Sequence, residues 1–319
     1  MNSILKQLNT LGIIPTAVIR NPDCAVPVAK ALVDCGVPCI EVQFSNEGAG
    51  TVVANMKKTF PDLLVGAGGI TTVEQVKEAI AAGAAYIAGC GVNAKVIEYC
   101  KQKKLLVIPG CSTASDVELA MEFELDTVKF FPAEAVGGIH TLAALQENYP
   151  NVHFIPAGGI CGDNLNQYLS VSGVLACNCK LPDDLLELES GRGVYAYVRA
   201  LKASLLGFCV WHVGINSANA EEAKATVSLF AKLLDADLAE NSASIFAGTG
   251  IEVMKTPFRG RYGHIAIRTN DIKRASAYVE ANGFMIDWDN LKKDENGNFG
   301  AAYFKEEIGG FAVHLLQKK

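Results

Sequence analysis

Residues 128–138 read Val-Lys-Phe-Phe-Pro-Ala-Glu-Ala-Val-Gly-Gly, a short apolar strand with one lysine inside it, followed by a proline turn and a glycine pair. A charged ammonium loses its hydration in such a strand, so burial favours the uncharged amine. The uncharged amine is also the form that attacks a carbonyl to make a Schiff base. From Lys129 alone, a second interpretation is equally open, in which its side chain reaches the strand end and pairs with a carboxylate.

A neighbouring strand favours the chemical interpretation. Residues 39–45 read Cys-Ile-Glu-Val-Gln-Phe-Ser and alternate strictly, so Glu41, Gln43 and Ser45 share one face. A polar stripe on an otherwise apolar parallel strand indicates an interior site. Lys129 and Glu41 would then supply an amine nucleophile and a group that carries protons.

Composition excludes several classes of function. The 319 residues carry a formal net charge of −6, which argues against nucleic acid as the main partner. There is no apolar run near the roughly 18 residues of a membrane span, and the first residues lack the layout of a signal peptide. The ten cysteines include no CxxC pair, so we expect reduced thiols and a cytoplasmic location.

Strands and helices alternate up to about residue 205. Eight strand–helix units predict a closed (β/α)8 barrel over residues 1–205, with its active site at the carboxyl ends of the strands. Thr71 and Glu74 are predicted to form a capping box at one of the helices. The predicted strands are 12–19, 39–45, 63–67, 85–88, 105–109, 126–131, 152–157 and 173–177.

Residues 206–319 predict a smaller α+β domain with an internal repeat. His212-Val-Gly-Ile-Asn is echoed by His264-Ile-Ala-Ile-Arg, and Ile251-Glu-Val-Met by Val313-His-Leu-Leu. Helices are predicted at 218–234 and 271–282, with strands at 209–216, 243–247, 250–255, 263–268, 301–305 and 310–317.

Four motifs carry a family resemblance. Lys-Phe-Phe-Pro-Ala-Glu-Ala-x-Gly-Gly, Gly-Ala-Gly, Pro-Gly-Cys-Ser-Thr and Pro-x-Gly-Gly-Ile follow the pattern of the 2-keto-3-deoxy-6-phosphogluconate / 4-hydroxy-2-oxoglutarate aldolases, which residues 1–205 resemble. The resemblance implies a class I aldolase that cleaves a 4-hydroxy-2-oxo acid to pyruvate and an aldehyde without a cofactor. It makes Lys129 the Schiff-base lysine and Glu41 the general acid/base, and it implies a homotrimer.

The positions that would bind substrate depart from the family pattern. An arginine four residues after the glutamate is Ser45 here, a threonine is Gly69, and the phosphate-cradling Gly-Gly-Ser is Asn178-Cys179-Lys180. Arg20 either compensates for the lost arginine or is a solvated strand-end residue. We therefore expect an altered pocket, with substrate-binding residues carried over as Arg20, Ser45, Gly68, Gly69, Phe131, Pro132, Gly158, Gly159 and Lys180.

The tail is similar to the vicinal-oxygen-chelate (glyoxalase/bleomycin-resistance) fold, as two βαβββ-like modules. By that resemblance, the candidate metal ligands are His212, Glu252, His264 and His314, which include three of the five histidines. Three imidazoles and a carboxylate would suit Zn, Ni or Fe better than Mg. The alternative is a module that serves only packing or oligomerisation.

Three hypotheses follow. The first is an aldolase acting on a small 2-oxo acid. The second is a weakened barrel that serves as a binding or scaffold protein. The third places a metal-dependent activity in the tail. Retention of both chemical residues favours the first hypothesis, because a chain that had lost its enzymatic role would be free to lose them.

Overall fold

The computed structural model describes residues 2–186, 191–293, 297 and 299–318. The chain divides into two compact units, Met1–Leu205 and Leu206–Lys319. In the described ranges, no helix is both long and apolar enough to cross a membrane.

Parallel strands alternate with helices in the first unit. Its described strands are β1 (Ile13–Ala17), β2 (Cys39–Gln43), β3 (Leu64–Gly68), β4 (Tyr86–Ala88), β5 (Leu106–Ile108), β6 (Gly110–Cys111), β7 (Thr127–Phe130), β8 (His153–Pro156) and β9 (Cys177–Lys180). Its described helices are α1 (Ser3–Leu11), α2 (Ala25–Asp34), α3 (Ala49–Thr59), α4 (Val73–Ala82), α5 (Ala94–Gln102), α6 (Ala114–Glu122), α7 (Gly138–Asn148), α8 (Leu165–Leu169) and α9 (Arg192–Leu206).

These strands form a curled parallel sheet. One run pairs in the order β5-β4-β3-β2-β1-β9, and a second in the order β6-β7-β8. Isolated parallel bridges join Phe154 to Val174 and Ala157 to Asn178. The register sets Glu41 beside Thr16 on β1 and Gly66 on β3, and it sets Lys129 beside Gly110 and Ile155.

Two local predictions for this unit were wrong. The strand predicted at 173–177 lies at Cys177–Lys180, so Asn178 is inside a strand and not in the loop after it. The capping box of α4 uses Thr72 and Gln75, and not Thr71 and Glu74. Thr72 is the extended residue before the helix, and its hydroxyl accepts from the Gln75 amide while the Gln75 side chain accepts from the Thr72 amide.

The second unit is a single sheet with two helices among its described residues. The strands are β10 (Cys209–Asn216), β11 (Leu238–Glu240), β12 (Ser244–Ala247), β13 (Ile251–Met254), β14 (Gly263–Thr269), β15 (Lys292–Lys293), β16 (Phe299–Ile308) and β17 (Phe311–Gln317), and the helices are α10 (Ala220–Leu234) and α11 (Ile272–Ala281).

The sheet order of this unit is mirrored about its centre. It runs β11-β12-β13-β10-β14-β17-β16-β15, with β10 and β14 antiparallel in the middle. On each side, the first strand of a half pairs in parallel with the last strand of that half, β10 with β13 and β14 with β17. The short strands β11 and β15 at the two edges were not predicted from the sequence.

Candidate active site

The Lys129 amine and the Glu41 carboxylate form a direct buried pair. Lys129 Nζ donates to Glu41 Oε1 at 2.5 Å, although the two residues are 88 positions apart in the chain. Lys129 is 5% exposed and Glu41 is 1% exposed. A buried ion pair is tolerable only with good geometry and further hydrogen bonds, so the surroundings of this pair matter.

The Gln43 side chain holds the Glu41 carboxylate, and the Thr16 hydroxyl supports Gln43. Gln43 Nε2 donates to Glu41 Oε1 and to the Thr16 hydroxyl, both at 2.9 Å, and that hydroxyl donates to the Glu41 main-chain oxygen at 3.0 Å. The Tyr86 hydroxyl lies 3.5 Å from Glu41 Oε2, at the limit of hydrogen bonding. Burial and the nearby Glu41 charge raise the pKa of Tyr86 well above its ordinary value, so the phenol stays protonated.

Two glycines on β3 make room for these groups. A Cβ at Gly66 would lie 2.1 Å from Tyr86 Cζ, and a Cβ at Gly68 would lie 2.2 Å from Gln43 Nε2 and 2.4 Å from Glu41 Oε1. Real Cβ atoms do not approach so closely, so glycine at both positions is a packing requirement.

The pair opens onto a cavity of about 200 Å³ at the ends of the strands. Several residues predicted to bind substrate share its wall with Glu41 and Lys129, namely Gly69, Phe131, Gly158, Gly159 and Lys180. The rest of its lining is Thr16, Ala17, Val18, Gln43, Gly89, Cys90, Ala157 and Asn178.

Four predicted residues lie elsewhere. Gly68 packs behind the Gln43 and Glu41 side chains, while Arg20, Ser45 and Pro132 are not among the described residues that line the cavity. Arg20 and Ser45 are both exposed. Position at the end of a strand located these residues along the chain, but it did not determine where their side chains point.

Two of the lining residues that sequence reasoning did not assign to the site carry side-chain amides, namely Gln43 and Asn178. Gln43 was placed on the correct face, but its two hydrogen bonds could not be read from the pattern. Asn178 is 2% exposed and lines the cavity between two buried cysteines of β9. In the sequence, Asn178 could have been found as a polar residue within an apolar run. It was missed because the strand was predicted at 173–177, which ends before it.

In the second unit, three of the four candidate metal ligands converge. His212 Nε2 lies 3.1 Å from His264 Nε2 and 3.3 Å from Glu252 Oε2, and His264 Nε2 lies 3.0 Å from the same oxygen. Burial alone would raise the pKa of Glu252, but hydrogen bonds from His212, His264 and Ser244 outweigh it and hold that pKa well below its ordinary value.

The fourth predicted ligand, His314, lies beside this cluster. Its ring centroid is 5.4 Å from that of His264 and 5.9 Å from that of His212. Burial, with repulsion from the other two imidazoles, lowers the pKa of His314 to about 3. A Cβ at Gly214, on the central strand β10, would lie 2.0 Å from His264 Cε1, so this glycine admits the His264 ring.

The first unit matches a known family. The family described as "Aldolase: KDPG and KHG aldolase" matches residues 3–186. The chain is 39% identical over 177 residues to a 2-dehydro-3-deoxy-phosphogluconate aldolase of Treponema pallidum, covering 56% of this chain and 84% of that protein. It is 36% identical over 182 residues to the KHG/KDPG aldolase of Escherichia coli K12, covering 56% and 85% respectively.

A solved structure supports the same family assignment. KDPG aldolase from Legionella pneumophila, with pyruvate captured as a covalent carbinolamine intermediate, aligns with a TM-score of 0.58 at 28% identity, over 61% of this chain and 97% of that one. The chain therefore belongs to the KDPG and KHG aldolase family, and it is an aldehyde-lyase.

The close approach at Gly68 yields a test of the site geometry. We expect Gly68→Ala to displace Gln43 or Glu41 and to destabilise the fold by about 1–3 kcal/mol, as overpacking does. Urea unfolding followed by circular dichroism measures this. Gly91→Ala is the matched control, because no atom lies within 4 Å of the Cβ it would add. Equal stability of the two variants would contradict the observed packing.

Proposed function

We propose that the first unit is a class I aldolase that cleaves a 4-hydroxy-2-oxo acid to pyruvate and an aldehyde, with Lys129 as nucleophile and Glu41 as proton carrier. The observation that carries this proposal is the 2.5 Å contact of Lys129 Nζ with Glu41 Oε1 at the wall of a small cavity. The proposed steps use the Lys129 amine, the Glu41 carboxyl group and water, and they require no metal or organic cofactor.

In the first half of the reaction, Glu41 accepts a proton from Lys129, and the free amine attacks the C2 carbonyl of the substrate. One proton then passes from the attacking nitrogen to the C2 oxygen, and the protonated Glu41 returns a second, so that this oxygen leaves as water and an iminium forms on Lys129. The direct hydrogen bond between the two groups provides this proton path without bulk solvent.

In the second half, the Glu41 carboxylate takes the proton of the C4 hydroxyl. The C3–C4 bond breaks, its electron pair moves into the iminium to give an enamine, and the aldehyde leaves. Glu41 then protonates C3, and water releases pyruvate from Lys129. Gln43 keeps the carboxylate in place during this sequence, since its hydrogen bond to Oε1 restricts the rotation of that group, and the Thr16 hydroxyl accepts a second hydrogen bond from Gln43.

Gly69, Phe131, Gly158, Gly159 and Lys180 are the proposed substrate-binding wall, because they line the same cavity. Arg20, Ser45 and Pro132 carry no role in this proposal. The preference for a particular aldehyde product depends on this wall. Two of its residues, Gly69 and Lys180, depart from the family pattern.

The sheet that holds the site is proposed to close into a (β/α)8 barrel. Only Pro109, which has no N–H to donate, separates β5 from β6, so the two segments are proposed to be halves of one strand. The bridges Phe154–Val174 and Ala157–Asn178 support continuity between β8 and β9. A crystal structure would test this through main-chain hydrogen bonds along that seam.

A barrel that serves only as a binding or scaffold protein is not favoured. The family match covers most of the first unit, and the buried Lys129–Glu41 pair would be a costly feature to keep without chemistry. A trimer, which the family resemblance implies, and a cytoplasmic location, which the cysteine usage predicts, are further proposals. Sedimentation equilibrium and cell fractionation would test them.

For the second unit, we propose a vicinal-oxygen-chelate type of domain with a divalent metal held by His212, Glu252, His264 and His314. The mirrored sheet order supports the fold. Atoms bound tetrahedrally to one zinc at about 2.0–2.1 Å lie about 3.3–3.4 Å apart, close to the 3.0–3.3 Å between the three converging atoms. A metal ion held there would polarise an oxygen atom of a small molecule that binds to it.

Lys129→Ala is expected to abolish the imine with pyruvate, because no other amine of the described cavity wall contacts Glu41. The measurement is borohydride reduction in the presence of pyruvate, followed by mass spectrometry. Lys180→Ala is the control, since Lys180 lines the same cavity but pairs with Asp183. An undiminished adduct in Lys129→Ala would remove Lys129 from the mechanism.

Glu41→Gln is expected to permit some imine formation but to reduce aldol turnover and exchange of the pyruvate methyl protons by about 10²–10⁴-fold, since the amide keeps the shape and loses the proton carrier. Proton NMR in deuterated buffer measures the exchange. Glu47→Gln, at an exposed position after β2, is the control. Wild-type exchange in Glu41→Gln would show that another group moves the proton.

Protein purified without a His tag is expected to contain about one divalent ion per chain, and His212→Ala/His264→Ala is expected to lose it, because the double variant removes two of the three converging ligands. Inductively coupled plasma mass spectrometry measures the content. His140→Ala, exposed in the first unit, serves as the control. Equal content in wild-type and double variant, or none in either, would contradict the metal site.

A further inference from the structure

Asn178 is a buried amide whose hydrogen-bonding capacity is unused. It lies on β9, with Ile14 of β1 and Ala157 as its neighbours across the sheet. Its side chain is 2% exposed and lines the cavity that also holds Lys129. Neither its Oδ1 nor its Nδ2 has a hydrogen-bond partner among the described residues.

Among the buried side-chain amides of the described residues, Asn178 is the one with both polar atoms unpaired. Asn46 and Gln146 each have one unpaired buried oxygen, but their amide nitrogens donate to main-chain oxygens. Exchanging the oxygen and nitrogen of Asn178 would leave the same two groups without partners. Buried polar groups are rarely left unpaired in native proteins, so whatever occupies the cavity must supply both partners, solvent in the free protein and a ligand in the complex.

The type of ligand follows from hydrogen-bond chemistry. A fully ionised carboxylate or phosphate only accepts hydrogen bonds, so it would satisfy Nδ2 and leave Oδ1 unpaired. A hydroxyl group both donates and accepts, so one or two hydroxyls satisfy both atoms. Lys180, two residues further along β9, is 59% exposed at its side chain and already pairs with Asp183 at 3.0 Å, which weakens this end of the cavity as an anion site.

In the proposed reaction, Lys129 forms a bond to C2 of the substrate, and Glu41 takes the proton of the C4 hydroxyl. The hydroxyls that remain are those beyond C4. We propose that Asn178 binds a hydroxyl group beyond C4, and that the preferred substrate is therefore a 2-oxo acid with an uncharged, hydroxylated tail. This inference rests on the proposed aldolase function. Gly158 and Gly159 line the same cavity, and because they have no side chains they leave space for that tail.

The test runs the reaction in the direction of synthesis, with pyruvate and three aldehydes: glyceraldehyde, propanal and glyceraldehyde 3-phosphate. Asn178→Leu keeps the number of side-chain atoms and removes both polar groups. We expect its kcat/KM for glyceraldehyde to fall by about 10- to 100-fold, with propanal changed by less than about 3-fold. Asn178→Ala adds no bulk and provides the same comparison should the leucine variant not fold.

Two further measurements separate binding from structure. The thermal midpoint of Asn178→Leu is expected to be unchanged or higher, because an apolar side chain replaces unpaired polar groups. Borohydride trapping of pyruvate is expected to be unchanged, since it does not use the tail. Gln146→Leu, a buried amide away from the cavity, is the matched control and should not alter the ratio of the two aldehydes.

An equal loss with glyceraldehyde and propanal would overturn the inference, because Asn178 would then be acting on the fold or on the imine. So would a large wild-type preference for glyceraldehyde 3-phosphate that Asn178→Leu abolishes, since the amide would then serve an anion. Absence of any pyruvate imine in the wild-type protein is a different result, which refutes the aldolase function itself and the inference with it.

Discussion

The buried contact between Lys129 and Glu41 is the constraint on which the first unit depends. Two groups of opposite charge leave water together, and neither can be stable there unless the other stays within hydrogen-bonding distance. The fold meets this condition, because it brings side chains of β2 and β7, 88 positions apart in the chain, to 2.5 Å. The Gln43 hydrogen bond, its support by Thr16 and the absence of a side chain at Gly68 all serve to hold this one carboxylate in one orientation.

The parts of the site that local pattern determines were predictable from the sequence. Strict alternation over residues 39–45 put Glu41 and Gln43 on one face, and a lysine in an apolar strand identified Lys129. The alternation of strands and helices likewise predicted a parallel sheet in the first unit and the second unit's helices at 220–234 and 272–281 within two residues. These features depend on side chains near one another in the chain.

The predictions that were wrong concern features that depend on residues far away in the chain. Val174 to Ala176 form the apolar run that a strand pattern favours, yet β9 is Cys177–Lys180 because its hydrogen bonds are matched to Ile13–Thr16 of β1. That shift moves Asn178 from a loop to the cavity wall. Arg20 and Ser45 were located at strand ends, but the direction of an exposed side chain is not encoded in a periodic pattern.

The mirrored sheet of the second unit also has a consequence for self-association. An open sheet ends in two strands with unused main-chain groups, which invite pairing with another chain. Among the described residues, the outermost strands are β11, with three residues, and β15, whose residues are Lys292 and Lys293. The three residues of β11 give a neighbouring strand little length to pair with, and the two lysines of β15 repel a second copy of the same edge. Both features oppose edge-to-edge polymerisation of this sheet.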